Sequence, residues 1–445
     1  LGILSQNSLE MVDLIGASAL LGAILLPVNY RLNPEEIGFV LADGAPVIVV
    51  AGVDYHDAVA ALKGSLPSVR HYFGVGAAHP DLIPFSQLSA TAGDPPDAVF
   101  DGDAGFVIIH TAAVGGRPRG ALLSQTGMLT AQSSLVHAWG LDERDVNLGV
   151  LPLFHVAGLG LMLTVQQAGG ASVIAAKFDA AQAARDIAAE KVTVMSEFAP
   201  MLGSILDQAQ AGQLSSLRAV TGLDSPATIE RFENECPNAT FWVTFGQSET
   251  SGVVTLSPYR DRPKSAGRSL FWRSIAVVDG DDRRKAIGQT GEIVVRGPTV
   301  FKGYWNLEAD TAVTFRNGWH HTGDMGYFDA DGYLWYAGRA AEKELIKTGG
   351  ENVYPAEVEN AIRQHPSIAD VAVIGVPDPQ WSEAIKAICV LQPSKMATAD
   401  EIIDFVGGLI ARYKRPKVVV FVDKLPKDAR GDIDRAAVKA AHGQA

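Results

Sequence analysis

A chain of 445 residues exceeds the size at which one hydrophobic core keeps growing, so two or three domains are expected. With 47% hydrophobic and 20% charged residues it reads as an ordinary globular protein, which excludes a disordered or fibrous one. A formal net charge of -13 argues against a general nucleic-acid-binding surface but leaves room for a local cationic cluster around an anionic ligand.

In chain order, NSLEMVDLIGASALLGAILL reads as a core helix with Ser8 as its N-cap. The uncharged span from Leu14 to Tyr30 contains Pro27 and Asn29, and its apolar part is too short to cross a bilayer. From Gly2 to about Trp335, β-branched runs alternate with helical stretches. The runs are PVIVVA, GFVIIH, NLGVL, ASVIAA, RAVTG and FWVTF, and the alanine-rich DAAQAARDIAAEK is one of the helices between them. This alternation predicts an α/β fold with parallel-rich sheets, in which ligands collect at the carboxyl ends of strands. From Ser274 to Tyr336 shorter strands and turn signals predict a β-rich subdomain of hairpins. Past Gly338 a helix, two strands, a helix, a strand and a terminal helix predict a compact α+β domain of about 100 residues. Cys236 and Cys389 lack metal-ligand spacing and read as free, buried thiols compatible with a reducing cytoplasm.

Five stretches carry candidate chemistry. TAAVGGRPRG, Thr111 to Gly120, lies between an apolar strand and Ser124, which opens a helix. It is either a glycine turn or a phosphate cradle in which backbone N–H groups, Arg117 and Arg119 face an anion. FGQSETSG, from Phe245, sets Glu249 beside small hydroxyls, and by itself reads first as a capped helix start. WHHTGDMGYFDADGYLWYAGR places Asp324 in a turn and Arg339 at a strand end. LIKTGGENVYPAEVE joins a glycine turn to a helix started by Pro355, and LPLFHVAGLG puts His155 after a strand, where a lone histidine is more often structural than catalytic.

In this order the segments resemble the adenylate-forming superfamily, in particular acyl-CoA synthetases and aryl-CoA ligases. TAAVGGRPRG aligns without a gap to that family's Thr-Ser-Gly-Thr-Thr-Gly-x-Pro-Lys-Gly loop. Phe245-Gly246-Gln247-Ser248-Glu249 matches its Tyr-Gly-x-Thr-Glu, Thr322-Gly323-Asp324 its Thr-Gly-Asp, and Gly338-Arg339 its Gly-Arg. GEIVVRGPTVFKGYWN and GGENVYPAEVE follow it almost throughout, and the likeness implies that the amino-terminal domain begins before Leu1.

The resemblance implies an acid–CoA ligase that uses ATP, Mg²⁺ and CoA. Thr111 and Glu249 would help hold the metal, with Gly115, Gly116, Arg117 and Arg119 around the phosphates. Asp324 would accept from the ribose hydroxyls, assisted by Arg339, and Phe245, with Gly246, Gln247 and Ser248 after it, would lie against adenine. His155, Gly222 and Leu223 would border the acyl pocket, and Gly349 and Gly350 the pantetheine tunnel. The implied organisation is an AMP- and acyl-binding domain over 1–338, a hinge over 339–344 with Lys343 and Glu344 as its pair, and a mobile domain over 345–445.

Two departures stand out. Ala112, Ala113, Val114 and Gly115 replace hydroxyls and a glycine of the loop, while Arg119 replaces a lysine with a planar donor fork. In LPKDARGDIDRAAVK the family's catalytic lysine position is Asp432, so adenylation needs Arg430, the preferred substitute, or Lys427. Two other readings stay open: an adenylating enzyme that loads a carrier protein, and a silent relative that binds nucleotide or acyl-CoA. The expected partner is a small fatty or aromatic carboxylic acid, with no nucleic acid, no stable membrane insertion and a cytoplasmic location; a homodimer is left open. The basic run Ala411 to Lys417 reads either as a place for a CoA phosphate or as a solvated helix end.

Overall fold

The structure, a computed structural model, describes residues 1–90, 93, 101–111, 118–339, 345–378, 381–427 and 433–444. The chain forms two compact units. The first comprises Leu1–Tyr30, Ile37–His110 and Gly120–Gly338; the second comprises Arg31–Glu36, Thr111–Arg119 and Arg339–Ala445.

In the larger unit, an all-parallel sheet runs in the order Leu26–Pro27, Gly2–Leu4, Ile48–Ala51, His71–Gly74, Ile83–Pro84. The first helix, Leu9–Leu21, begins as expected, with the Ser8 hydroxyl accepting from the Met11 amide and Gly22 closing it in the left-handed region. A second sheet of seven described strands has the order Arg268–Ser269, Gly252–Pro258, Thr240–Gln247, Ala219–Leu223, Val194–Phe198, Val146–Gly149, Ala171–Ile174. Its strands from Thr240–Gln247 to Ala171–Ile174 pair in parallel. Gly252–Pro258 turns back antiparallel after a register shift between Phe245 and Gly246.

Periodicity explains what covers this sheet. Met195, Val220, Phe241 and Val243 alternate toward Ala184, Ile187, Leu202, Ile205, Ile229 and Phe232 of the helices Ala180–Glu190, Met201–Gln208 and Pro226–Glu235, forming one apolar cluster. The other face packs Val194 and Ala219 against Leu135, Trp139, Leu161 and Val165 of Gln125–Trp139 and Val156–Gln167. Parallel strands buried on both faces place Phe245, Gly222, Leu223 and, after Val146–Gly149, His155 at their carboxyl ends.

The expected β-rich subdomain is an antiparallel sheet of Ser274–Val278, Gly291–Arg296, Trp319–Phe328 and Phe315–Arg316, with Leu334–Arg339 paired to Trp319–Phe328. Two local expectations change. Asp324 stands inside the strand Trp319–Phe328 and not in a turn; the signal TGD marks an irregular register between Glu292 and Val294, with Gly323 at φ 72°. TAAVGGRPRG does not lead directly into a helix: Arg119–Ser124 is a strand beside Gly105–Thr111, and only then does Ser124 cap the helix Gln125–Trp139. Burial of Ala121 and Leu123 between sheet neighbours overrides their helical propensity.

In the smaller unit the hairpin Ile346–Thr348 and Glu351–Val353 joins a sheet with Ser382–Leu391, Ile368–Asp378 and Val418–Phe421. Gly349, at φ 57°, makes the hairpin turn, and a Cβ there would press to 2.7 Å from the Trp381 ring. Both cysteines are free and buried; burial pushes the Cys236 thiol to about 11 and the Cys389 thiol to about 12, so neither is a ready nucleophile. No described helix is long and apolar enough to cross a membrane.

Phe232 is fully buried between the helix layer and the seven-stranded sheet. Phe232→Ala is expected to lower the unfolding free energy by about 3–5 kcal/mol, read as a lower urea midpoint with an unchanged slope.

Candidate functional site

The larger unit gathers its polar groups where the seven-stranded sheet meets the β-rich subdomain. Thr240–Gln247 ends in Gln247, whose backbone N–H donates 3.0 Å to the Thr250 hydroxyl and whose side chain caps the short 3-10 turn Ser248–Thr250. The Gln247 amide then reaches across to donate 3.0 Å to the Thr322 carbonyl and to the Asp324 carboxylate, while its Oε1 lies 3.1 Å from His320 Nε2.

Asp324 is only 3% exposed. A buried carboxylate needs donors, and here the Tyr336 hydroxyl donates 3.2 Å to Oδ1 while Gln247 serves Oδ2. The Asp324 amide donates 3.0 Å to the Thr322 hydroxyl, which itself donates 2.6 Å to the Ile293 carbonyl. The Gly323 amide donates 2.9 Å to Glu292, so the irregular strand is pinned on both sides of the aspartate. The Tyr336 ring lies 6.3 Å from that of Phe245 at 33°, leaving an aromatic edge beside the carboxylate.

Glu249 is held from below. Tyr304 donates 2.9 Å to its Oε1, and its backbone carbonyl accepts 2.8 Å from the Phe301 amide. Tyr304 belongs to Gly303–Tyr304, which pairs through Ala121 and Leu122 with the strand that follows the glycine-rich loop. Ser248 stands beside Glu249 in the 3-10 turn, and Gly246 is exposed near the carboxyl end of Thr240–Gln247.

His155 caps the helix Val156–Gln167 in extended conformation, its ring 4.3 Å from Phe154. Gly222 is buried and Leu223 is 44% exposed at the end of Ala219–Leu223. In the smaller unit the Thr111 hydroxyl donates 3.4 Å to the Arg119 carbonyl, and Arg339 donates 3.2 Å to the Tyr354 hydroxyl. Gly349 and Gly350 occupy the hairpin turn. Lys427 is half-exposed and 3.7 Å from Asp370. Gly115, Gly116, Arg117, Lys343, Glu344, Arg430 and Asp432 lie outside the described residues.

The basic run is not simply solvated: Lys414 is 3% exposed and 2.6 Å from Glu357, while Lys417 sits 4.6 Å over the Trp381 ring. Sequence reasoning missed Tyr336 and Tyr304, which supply the hydroxyls to the two carboxylates. Their signal is weak, since an aromatic in a strand is ordinary packing. It also missed Glu197, whose signal was present as the one charge in the apolar run VTVMSEF.

Comparison with known proteins adds the relatives. The AMP-binding enzyme family matches residues 1–305, and the AMP-binding enzyme C-terminal domain matches residues 357–432. The chain is 35% identical to indoleacetate–CoA ligase of Aromatoleum aromaticum, over 98% of this chain and 87% of that one. A Rhodopseudomonas palustris structure, provisionally described as a long-chain-fatty-acid CoA ligase, has 69% identity and a TM-score of 0.74 over 76% of this chain and 85% of that one. A double mutant of o-succinylbenzoate CoA synthetase from Bacillus subtilis has 29% identity and a TM-score of 0.86 over 98% and 87%.

Tyr336→Phe removes one of the donors to buried Asp324. At pH 7 the variant is expected to lose about 1.5–3 kcal/mol in urea unfolding, and an unchanged midpoint would show that the hydroxyl does not support the carboxylate.

Proposed function

The chain belongs to the AMP-binding enzyme family, the adenylate-forming acyl-CoA synthetases, and we propose that it joins a fatty or aromatic carboxylate, uncharged in its acyl or aryl part, to CoA, with Asp324 as the ribose anchor of its nucleotide site. A carboxylate resists attack because its charge is delocalised and oxide is a poor leaving group. Attack of the carboxylate on the α-phosphate of ATP breaks the α–β anhydride bond, giving the acyl-adenylate and releasing pyrophosphate; the CoA thiolate then attacks the acyl carbon, AMP leaves and the thioester forms.

The observation that carries this reading is the buried Asp324 with its two donors beside Phe245. A carboxylate accepts at about four lone-pair positions, and the two hydroxyls of a vicinal diol are the kind of donors it takes. Phe245 offers an aromatic face to adenine at the carboxyl end of a parallel strand, where nucleotides bind in open sheets.

The acid and the triphosphate repel, so cations must do most of the work. Thr111 and Glu249 are hard oxygen donors of the kind magnesium takes, and Tyr304 holds one Glu249 oxygen in place. When bound, the ion would neutralise phosphate charge. Arg117 and Arg119 act on the phosphates, with the backbone of Gly115 and Gly116. Arg430 replaces the family's lysine at the reacting carboxylate, with Lys427 as its alternate. The Lys427 pairing to Asp370 supports that second role, because a long, half-exposed ion pair is worth under about 1 kcal/mol and is given up easily.

His155, Gly222 and Leu223 border the acyl pocket, and the apolar helix Val156–Gln167 favours an uncharged acyl or aryl group. Arg339 assists at the ribose, Gly349 and Gly350 admit pantetheine, and Lys343 with Glu344 form the joint between 1–338 and 345–445. The relatives act, by their names, on indoleacetate, long-chain fatty acids and succinylbenzoate; the first two belong to the class proposed, and the third carries a second carboxylate.

The test supplies Mg-ATP and a panel of fatty and aromatic acids, with and without CoA. Pyrophosphate release without CoA and AMP release stimulated by CoA are expected. AMP release indifferent to CoA would favour a carrier-protein acceptor, and silence without ATP binding would favour a noncatalytic relative. Glu249→Gln and Arg430→Ala are each expected to slow pyrophosphate release by on the order of a hundredfold, equivalent to about 3 kcal/mol of lost charge stabilisation. Full activity of Arg430→Ala together with loss in Lys427→Ala would transfer the role to the lysine.

A further inference from the structure

Glu197 takes part in nothing described so far. It stands at the carboxyl end of Val194–Phe198, is 0% exposed, and opposes Gly222 in the parallel register. Gly222 has φ 153°, and a Cβ there would collide with the Glu197 carbonyl oxygen and lie 2.7 Å from its Oε1. The glutamate therefore lies against the strand end assigned above to the acyl pocket.

Neither Glu197 oxygen meets a fixed N–H or hydroxyl donor at full hydrogen-bonding geometry, and Asp224 Oδ2 is likewise unserved. The groups that act on Glu197 are the Asp224 carboxyl, from the segment after Ala219–Leu223, and the Leu202 amide at the start of Met201–Gln208. Those that act on Asp224 are the Ser225 amide, the Thr228 hydroxyl and Glu197. Among the described residues no cation acts on either carboxyl. One proton between them gives a partner to two of these three orphan oxygens, turning repulsion into a charge-assisted O–H···O⁻ bond.

We propose that Glu197 is a positioning residue: as the neutral acid it donates to Asp224 and so fixes the Gly222–Leu223–Asp224 wall of the acyl pocket, an inference that rests on the ligase reading above. Burial first, and the Asp224 charge second, hold the Glu197 carboxyl well above its usual range, which puts the proton on the glutamate. Burial raises Asp224 as well. At alkaline pH the proton passes to solvent, two carboxylates face each other, and the strand end is released.

The sign follows from linkage. An acid whose folded form holds its proton more tightly than the unfolded chain favours folding below the ordinary glutamate range, and this contribution is lost as pH rises toward the folded value. The amide of Glu197→Gln donates to Asp224 at every pH, whereas Glu197→Leu cannot donate at all.

The experiment compares wild type, E197Q and E197L in kcat, in KM for the acid and in thermal unfolding, from about pH 6 to 9.5. Wild type is expected to show an alkaline rise in KM of about fivefold or more with a smaller change in kcat; E197Q should keep the neutral KM within about threefold and flatten that rise; E197L should raise KM about tenfold or more at every pH. A wild-type profile in E197L, or equal damage in E197Q and E197L, overturns the proposal while leaving the ligase reading intact. Should E197L fail to fold, the flattened or unflattened profile of E197Q decides alone. If no acid is turned over, the ligase reading falls and the pocket-positioning proposal falls with it. The shared proton itself is then read from Tm: a gap in favour of E197Q that widens with pH supports it, and a constant gap rejects it.

Discussion

The larger unit depends on one buried anion. Asp324 sits where the seven-stranded sheet meets the antiparallel subdomain, and a carboxylate without water is tolerated only if donors converge on it. Gln247 reaches it from the sheet and Tyr336 from the subdomain, so its two oxygens join the contacts, among them Gln247 with Thr322 and His320, that register the two layers. The Tyr336 ring that serves the carboxylate also lies 6.3 Å from the Phe245 ring. In the nucleotide-binding reading proposed above, the bonds that meet this structural demand would also hold the ribose anchor.

Glu197 meets the same demand differently. No fixed donor ring surrounds it, and the side chain that acts on it is another acid, Asp224. Desolvation disfavours charge, and a neighbouring carboxylate disfavours it further, so a shared proton replaces the donors that Asp324 recruits. Two buried acids on different sheets are therefore set apart by their surroundings: Asp324 is served by an amide and a phenol, and Glu197 is kept neutral. Separation of this kind is how one protein fold gives different roles to chemically similar groups.

Much of the fold was legible because it rests on local physics. Ser8, Ser124 and Asp179 cap the helices they precede, and each does so with a bond to a backbone amide three residues on. The alternating, β-branched runs became parallel strands buried on both faces. Asp324 and the glycine-rich loop were harder. TGD reads as a turn, yet cross-strand pairing absorbs it as an irregularity; Arg119–Ser124 has little strand signal and becomes one because Gly303–Tyr304 pairs with it.

The sequence by itself determined the family, the order of its motifs and the chemistry they suggest, since motif spacing, caps and hydrophobic period are all carried by residues close together in the chain. Only the tertiary structure decided who serves each carboxylate. Gln247 and Asp324 are separated by 77 positions, Glu249 and Tyr304 by 55, and Glu197 finds Asp224 only because their strands lie side by side. A charge taken out of water is neutralised, hydrogen-bonded or protonated according to what the fold brings within reach, and that neighbourhood is a property of packing.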